Sequence, residues 1–317
     1  MAALPYIIIL GGNTMFKFKR KTICAVLLVA LMGTMAVGCG QKAEQPKQDE
    51  PQQQTEQQGE QPNAADKKEW VLAINATFPP FETIDEENDS YMGIDIDIAN
   101  HIAERMGVTF KIEDMAFNGL VNALTSGHAD IIISGISPTE DRKATVDFTD
   151  SYFYPQTAII TLKDAPYTTL EALEGKTIGC SLGTTYANQA AKIKDATVQE
   201  FDSTPLVVQD IINGRIEAGL FDSYQAGEFV KNNDQLAMYI VPGTLVVEDS
   251  YAIALPKGSP YVEEINAILA EMKEDGTMDE IFAKWLGEDF VEEYNAQVES
   301  LLAEQNADQP SGAAKAE

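Results

Sequence analysis

The feature that most constrains the fold is an alternation of short apolar runs and helical stretches along residues 69–290. Runs such as WVLAIN at 70–75 and YAIALP at 251–256 are bounded by turn residues, which is typical of buried strands. Isoleucine recurs at every fourth position over 94–102 and Gly107 follows, which predicts an amphipathic helix with a glycine end. The alternation therefore predicts an α/β fold with mostly parallel sheets.

Polar residues follow four of the predicted strands. Asn75, the loop at Ser134, the loop at Ser181 and Asp222 all occupy such positions. Ligands of open α/β sheets bind beyond the carboxyl ends of the strands. The sequence therefore predicts one ligand site to which all four strand ends contribute.

The N-terminus has the pattern of an export signal over residues 1–38. Lysines and an arginine at 17–21 precede an apolar run, which is shorter than the about 20 residues that a membrane-spanning helix needs. The segment MAVGC that ends at Cys39 resembles a bacterial lipobox, which implies a lipid on Cys39 and anchoring to the outer face of the cell membrane. An ordinary secretory signal stays open as an alternative, as does translation from Met15.

Two flanking segments offer little to bury. Residues 39–68 follow the signal as a stretch of Gln, Glu, Pro and Ala, which predicts a flexible tether, and residues 301–317 predict a disordered tail. The formal net charge is -28, from 50 acidic and 22 basic residues. Such a charge repels phosphate backbones and argues against nucleic acid as a partner.

Several motifs in a fixed order resemble those of the amino-acid-binding solute-binding proteins (family 3) of ABC importers. They include FPPFE at 78–82, YMGIDIDIANHIAERMG at 91–107, DIIISGISPTEDRKATVDFTDSYF at 130–153 and EAGLFD at 217–222. The resemblance implies a two-lobed periplasmic-binding-protein fold of type II, with two hinge strands and a ligand cleft between the lobes. Lobe 1 would comprise 69–158 and 252–290, and lobe 2 would comprise 159–251.

The resemblance also implies which residues bind the main-chain groups of a free amino acid. Arg142 would bind the α-carboxylate, because its planar guanidinium matches a carboxylate. The amides of Gly135 and Thr185 would share this role. The α-ammonium would be bound by Asp222, the Ser134 carbonyl and the Ser137 hydroxyl.

Ser137 has a competing role as a helix cap. Together with Glu140 it fits a capping box, and Thr277 with Glu280 fits another.

The ligand side chain would lie between the rings of Phe78 and Phe117, and Asn75, Ser181 and Glu82 would select it. Relatives that bind basic ligands, and the glutamine binder, have aspartate where this chain has Asn75. Ser181 replaces a lysine of the glutamine binder. These departures favour a neutral polar ligand. Glu82 would admit arginine or lysine if it faced the ligand, and is otherwise a solvated glutamate.

The expected function is capture of a free amino acid by lobe closure and its delivery to an ABC permease and its ATPase, by a monomer without cofactor or metal. No enzyme activity is expected, because the two histidines, His101 and His128, lie away from the strand ends and Cys180 is predicted to be a buried thiol. Two alternatives stay open: an enzyme on the same fold, similar to cyclohexadienyl or arogenate dehydratase, and a ligand-binding partner of a separate sensor.

Overall fold

The computed structural model describes residues 68–245 and 247–308. The predicted signal, the predicted lipidation site Cys39 and all of the predicted tether except its last residue lie outside these ranges. Within them, the chain forms two five-stranded sheets and a two-stranded hairpin.

The elements follow one another in mixed order. The strands are β1 (Glu69–Ile74), β2 (Thr83–Asp85), β3 (Ser90–Met92), β4 (Thr109–Asp114), β5 (Ile131–Ile132), β6 (Val146–Phe153), β7 (Thr157–Leu162), β8 (Thr177–Ser181), β9 (Thr197–Phe201), β10 (Ala218–Asp222), β11 (Leu236–Ile240) and β12 (Tyr251–Pro256). The helices are α1 (Ile94–Met106), α2 (Leu120–Thr125), α3 (Glu140–Lys143), α4 (Thr185–Ala190), α5 (Thr204–Ile212), α6 (Ser223–Lys231), α7 (Val262–Glu274), α8 (Thr277–Leu286) and α9 (Glu288–Asp308).

The first sheet has the strand order β4-β1-β5-β12-β6, and the second has the order β11-β7-β10-β8-β9. The chain passes to the second sheet between β6 and β7 and returns between β11 and β12. The fold is therefore the expected two-lobed α/β arrangement. The residue boundaries of the lobes, 69–158 with 252–290 and 159–251, stay predictions.

The prediction of mostly parallel sheets is wrong for half of the strand pairs. Strand β1 is parallel to β4 and β5, and β8 is parallel to β9 and β10. The antiparallel pairs of the two sheets all include β7 or β12, the strands that follow the two passages between sheets. Apolar runs indicate buried strands but not their direction, so the sequence could not distinguish these pairs.

Each sheet has a hydrophobic core on both faces, because successive strand residues point to opposite sides. In β1, Leu72 and Ile74 pack with α1, α7 and α8, while Ala73 packs with α2. In β7, Ile159 and Ile160 likewise belong to opposite cores of the second sheet. Two-sided burial explains why inner strands such as β7 and β10 are short apolar runs without alternation, whereas the edge strands β4 and β9 alternate.

Helix α1 follows its sequence pattern closely. Ile94, Ile98 and Ile102 are fully buried, and Gly107 ends the helix with a φ of 67°, a left-handed conformation that favours glycine. Cys180 is buried and free, as predicted, and burial raises the pKa of its thiol to about 12.

Both predicted capping boxes are wrong. Helix α3 begins after Thr139, whose hydroxyl accepts a hydrogen bond from the Arg142 N–H, while the Ser137 hydroxyl donates to the Asp249 carbonyl. Helix α8 follows Gly276 without a side-chain cap, and Thr277 is already its first residue. Helix α3 therefore begins two residues later than a cap at Ser137 would place it, and α8 begins one residue earlier than a cap at Thr277 would place it.

Other elements had not been predicted, among them the hairpin β2–β3, strand β6, helix α6 and helix α9. Helix α9 packs Phe290 and Tyr294 against the core of the first sheet and continues to Asp308, into the stretch that was predicted to be a disordered tail. Within the described ranges, none of the helices combines the length and the apolar character that crossing a bilayer requires.

Candidate functional site

The strand ends meet at a cavity between the two sheets. Asn75 after β1 and Ser134 after β5 line it from the first sheet, and Ser181 at the end of β8 lines it from the second. The other lining residues are Thr77, Phe78, Phe117, Gly135, Ser137, Arg142, Thr184, Thr185, Tyr186, Thr204, Leu220, Phe221, Gln225 and Tyr251. Three of the four polar strand-end positions singled out in the sequence thus line one cavity, while the fourth, Asp222, does not, and the ligand site itself stays a prediction.

The cavity measures about 40 Å³, which holds a few water molecules but not an amino acid. A larger open groove of about 1300 Å³ shares Thr185 with this cavity and lies between the α3–β6 segment and α4. It is wide and lined by charged side chains such as Lys143 and Lys192, so it lacks the enclosure that removes a small ligand from water.

Arg142 is the charged residue among the lining residues. Its Nη1 donates to the Ser137 carbonyl at 2.7 Å and its Nη2 donates to the Gly183 carbonyl at 2.9 Å. The guanidinium also lies over the Phe117 ring, 5.3 Å from its centre. Burial lowers the Arg142 pKa to about 10, which still leaves the group positively charged at neutral pH.

No carboxylate of the described ranges forms an ion pair with Arg142. A partly buried charge without a counter-ion is unfavourable, so an anion bound in the cavity would stabilise it. Thr185 lines the cavity at the first position of α4, and the preceding Thr184 caps this helix.

The aromatic wall consists of Phe78 and Tyr251, together with Phe117 on the Arg142 side. Phe78 stacks on Phe81 with ring centres 4.9 Å apart and meets Tyr251 edge-on at 5.9 Å. Gly135 passes close beneath Phe78, since a Cβ there would lie 2.4 Å from the ring. Its φ of 49° also favours glycine, so this loop has two independent reasons to require it.

Two groups that were expected to contact the ligand make hydrogen bonds within the protein. The Gly135 N–H donates to Asp95 Oδ2 at 2.7 Å, and the Ser137 hydroxyl donates to the Asp249 carbonyl at 3.2 Å. This departs from the expectation that the Gly135 amide binds a ligand carboxylate. The Ser137 hydroxyl donates its hydrogen to Asp249 and keeps a lone pair, so its expected contact with an ammonium stays a prediction. Buried amides take the nearest strong acceptor, and here that acceptor belongs to the protein.

Asp222 is fully buried and does not line the cavity itself. Its Oδ1 accepts from the N–H groups of Tyr224 and Gln225, at 2.7 and 2.8 Å, and its Oδ2 accepts from the Tyr251 hydroxyl at 3.1 Å. Burial raises its pKa to about 7. In this arrangement Tyr251, rather than Asp222, faces the cavity, which departs from the expected direct contact with an ammonium.

The three residues expected to select a side chain fall into two groups. Asn75 and Ser181 line the cavity, and the Asn75 amide is held by Met115 O at 2.8 Å and the Thr77 hydroxyl at 2.7 Å. Glu82 is only 1% exposed and lies behind Ser134, whose hydroxyl donates to Glu82 Oε1. Glu82 is therefore neither a solvated glutamate nor a lining residue.

One contact between the two sheets was not predicted from the sequence. The Thr77 carbonyl accepts from Thr204 Oγ1 at 2.8 Å and from Gln225 Nε2 at 3.1 Å, and these two side chains lie 2.9 Å apart. Both donors stand at helix starts that directly follow β9 and β10. Strand-end position was thus a signal for them too, although neutral Thr and Gln side chains are common at helix starts.

The fold and the cavity between the sheets define a class: a two-lobed α/β protein with a small cavity lined by residues of both lobes. A profile of the bacterial extracellular solute-binding proteins, family 3, matches residues 71–288. The chain belongs to this family.

Individual relatives agree. The arginine-binding extracellular protein ArtP of Bacillus subtilis is 31% identical over 222 residues, which cover 69% of this chain and 86% of that protein. The L-cystine-binding protein TcyJ of Escherichia coli K12 is 29% identical over 224 residues, covering 69% and 83%. An ancestral arginine-binding protein, solved with arginine, has 38% identity and a TM-score of 0.66 over 70% of this chain and 99% of its own. These relatives are binding proteins of small molecules and not enzymes, as predicted.

Proposed function

We propose that the protein captures a free amino acid outside the cytoplasmic membrane, with preference for a neutral polar side chain, and delivers it to an ABC permease. The observation that carries this proposal is the Arg142 guanidinium, which lines an enclosed cavity and lacks a carboxylate partner within the described ranges. A ligand α-carboxylate would supply that partner, with Thr185 beside it. Ser134, Ser137 and, through Tyr251, Asp222 would meet the ammonium.

The proposed preference for a ligand with a neutral side chain is based on the residues that line the cavity. Arg142 is the one charged side chain among the lining residues of the described ranges, so a cationic ligand side chain would find no carboxylate there. Asn75 and Ser181 offer amide and hydroxyl groups, and Phe78 and Phe117 offer ring faces. Arginine is the competing ligand, since several relatives are arginine-binding proteins; the ancestral relative has, however, also been solved with glutamine.

Capture requires movement, because the cavity is smaller than an amino acid. The Arg142–Gly183 bond and the Thr77 contacts with Thr204 and Gln225 join the two sheets across the cavity, so they must break when the lobes separate. Ligand binding to one lobe followed by closure of the other shifts a two-state population toward this closed form.

The location follows from the N-terminus. Residues 1–38 would direct export, Cys39 would carry lipid, and residues 39–68 would act as a tether for a monomer. Lipid anchoring keeps the protein near a membrane permease and raises its effective concentration there. Replacement of Cys39 by Ala is expected to release the protein into the medium, which fractionation followed by immunoblotting would measure. Retention in the membrane fraction would contradict the lipid anchor.

The test of the function is calorimetric titration of the exported chain from residue 40 onward, refolded to remove any carried-over ligand, against the twenty amino acids, cystine and ornithine. We expect a micromolar or tighter dissociation constant for a neutral polar amino acid. Tight binding of arginine or lysine alone would contradict the side-chain preference but not the class of ligand. If none of these compounds binds, the proposal that the protein captures an amino acid is wrong.

A further inference from the structure

Two carboxyl groups lie buried side by side beneath the wall of the cavity. Glu82 follows the Pro-Pro segment and Asp95 stands in the first turn of α1, and both are almost completely buried. Besides Asp95, the charged group that raises the pKa of Glu82 is a third acid, Asp114 at the end of β4. Two adjacent buried carboxylates without a cation cannot both stay ionised.

The hydrogen bonds show which of the two carries the charge. Asp95 accepts from the Tyr152 hydroxyl at 2.8 Å through Oδ1 and from the Gly135 N–H at 2.7 Å through Oδ2. Its position at the start of α1 also favours a negative charge. Glu82 has one donor, the Ser134 hydroxyl, and its Oε2 is buried without a partner among the described residues when both acids are drawn as ionised.

A proton on Glu82 Oε2 removes the repulsion between the two carboxylates and gives this oxygen a hydrogen-bond partner. The group then donates to Asp95, which lies within hydrogen-bonding reach, and the orphan oxygen becomes satisfied. Burial and the neighbouring Asp95 raise the pKa of Glu82 well above its usual value, which agrees with a protonated group at neutral pH.

With this proton on Oε2, Glu82 Oε1 remains an acceptor for the Ser134 hydroxyl. Because Glu82 Oε1 accepts the Ser134 hydroxyl hydrogen, and the Asn75 N–H donates to Ser134 Oγ at 3.0 Å, Ser134 Oγ has only a lone pair left to offer. The Gly135 N–H is likewise turned to Asp95 and away from the ligand. This part of the wall therefore accepts hydrogen bonds and donates none.

We propose that Glu82 and Asp95 are positioning residues that share one proton and thereby hold the Ser134 hydroxyl as an acceptor for an N–H group of the ligand. The proposal rests on the proposed amino-acid capture, because it assigns the polarity of that site. An ammonium, amide or guanidinium group satisfies this wall, whereas a ligand carboxyl at the same place does not.

The variants Glu82→Gln and Glu82→Met separate positioning from mere filling of space. A glutamine reproduces the protonated acid, since its Oε1 accepts from Ser134 while its Nε2 donates to Asp95. A methionine has similar length but accepts no proper hydrogen bond, so the Ser134 hydrogen is freed to turn into the cavity. Glu86→Gln, on the exposed hairpin, controls for the loss of one acid.

Calorimetry with the tightest ligand of the amino-acid panel, on the exported chain, gives the first readout. We expect about tenfold weaker binding for Glu82→Met and recovery of most of that loss in Glu82→Gln. Ser134→Ala should lose as much as Glu82→Met, and the double variant should lose no more than either alone, because the two residues act as a unit. Equal affinities of Glu82→Met and Glu82→Gln, or additive losses, would overturn the proposal. If Glu82→Met does not fold, the affinities of Ser134→Ala and Glu82→Gln test the proposal instead.

Infrared difference spectroscopy gives a readout that needs no ligand. At neutral pH the wild-type protein should show the C=O band of a protonated carboxyl that is missing from Glu82→Gln and present in Glu86→Gln. Absence of this difference would overturn the shared proton even if binding follows expectation. If the wild-type protein binds none of the panel, the proposed function fails, whereas the infrared band still decides the protonation of Glu82.

Discussion

Arg142 illustrates how one residue can be unfavourable for the empty protein and necessary for its ligand. Its donors reach only the carbonyls of Ser137 and Gly183 in the described structure. Arg142→Met keeps the length of the side chain but removes the charge. We expect ligand affinity to fall by about 3 kcal/mol, more than a hundredfold, because a buried carboxylate loses its charged partner.

The same substitution should leave the melting temperature of the empty protein unchanged or raised, since it removes a partly buried charge without an ion pair. Calorimetry and thermal unfolding check the two expectations. Arg215→Met, which removes an exposed arginine paired with Asp210, is the matched control and should bind ligand normally. Unaltered affinity of Arg142→Met would exclude Arg142 from the ligand site.

Asn75 is the residue at which ligand choice can be redirected. Asn75→Asp places a carboxylate in the cavity, so the ratio of arginine to glutamine affinity should rise by about tenfold or more. The change also sets a carboxylate oxygen against the Met115 carbonyl, which now accepts the Asn75 amide at 2.8 Å, so stability should fall by about 1–2 kcal/mol. Competition calorimetry measures the ratio. A constant ratio would show that residue 75 does not face the ligand side chain.

At the scale of elements, strands and amphipathic helices could be predicted because burial determines how often apolar residues recur along each element. Several residues that line the cavity could be picked out for a related reason, since they are polar side chains that follow apolar strands. Strand direction and the two helix caps were not readable, because they depend on where the chain changes sheets and on which partner is near. The burial of Glu82 behind Ser134 was not predictable either, since these two residues are far apart in the sequence.

The starts of α5 and α6 provide the neutral bridge between the sheets. Thr204→Val removes the hydroxyl that donates to the Thr77 carbonyl at 2.8 Å while it preserves the shape of the side chain. The closed form should lose about 1 kcal/mol, so apparent ligand affinity should drop about fivefold. Small-angle scattering of the empty protein should show a larger radius of gyration than that of Thr197→Val, an exposed control on β9. Identical affinity and radius in both variants would mean that the bridge does not stabilise closure.

For the whole molecule, the buried carboxyl groups determine how stability varies with pH. The pKa of Asp222 is raised to about 7 and that of Asp95 to about 6, mainly by burial, and the pKa of Glu82 is raised as well. In the unfolded chain these acids release their protons near pH 4. Between about pH 4 and pH 7 the native state therefore holds more protons than the unfolded state, so stability falls as pH rises through this range.

We expect unfolding to need on the order of 3 kcal/mol more at pH 5 than at pH 8, which corresponds to a melting temperature about 5–10 °C higher. The net charge of -28 acts in the same direction, because acid reduces self-repulsion. Thermal unfolding in 1 M salt separates the two causes, since surface repulsion is then screened within about 3 Å while buried groups are little affected. In that salt, Glu82→Gln should have a smaller pH dependence than the wild-type protein. A melting temperature that stays flat or rises from pH 5 to pH 8 would show that the three acids are ionised in the native protein, and would remove the electrostatic basis for a shared proton beneath the ligand cavity.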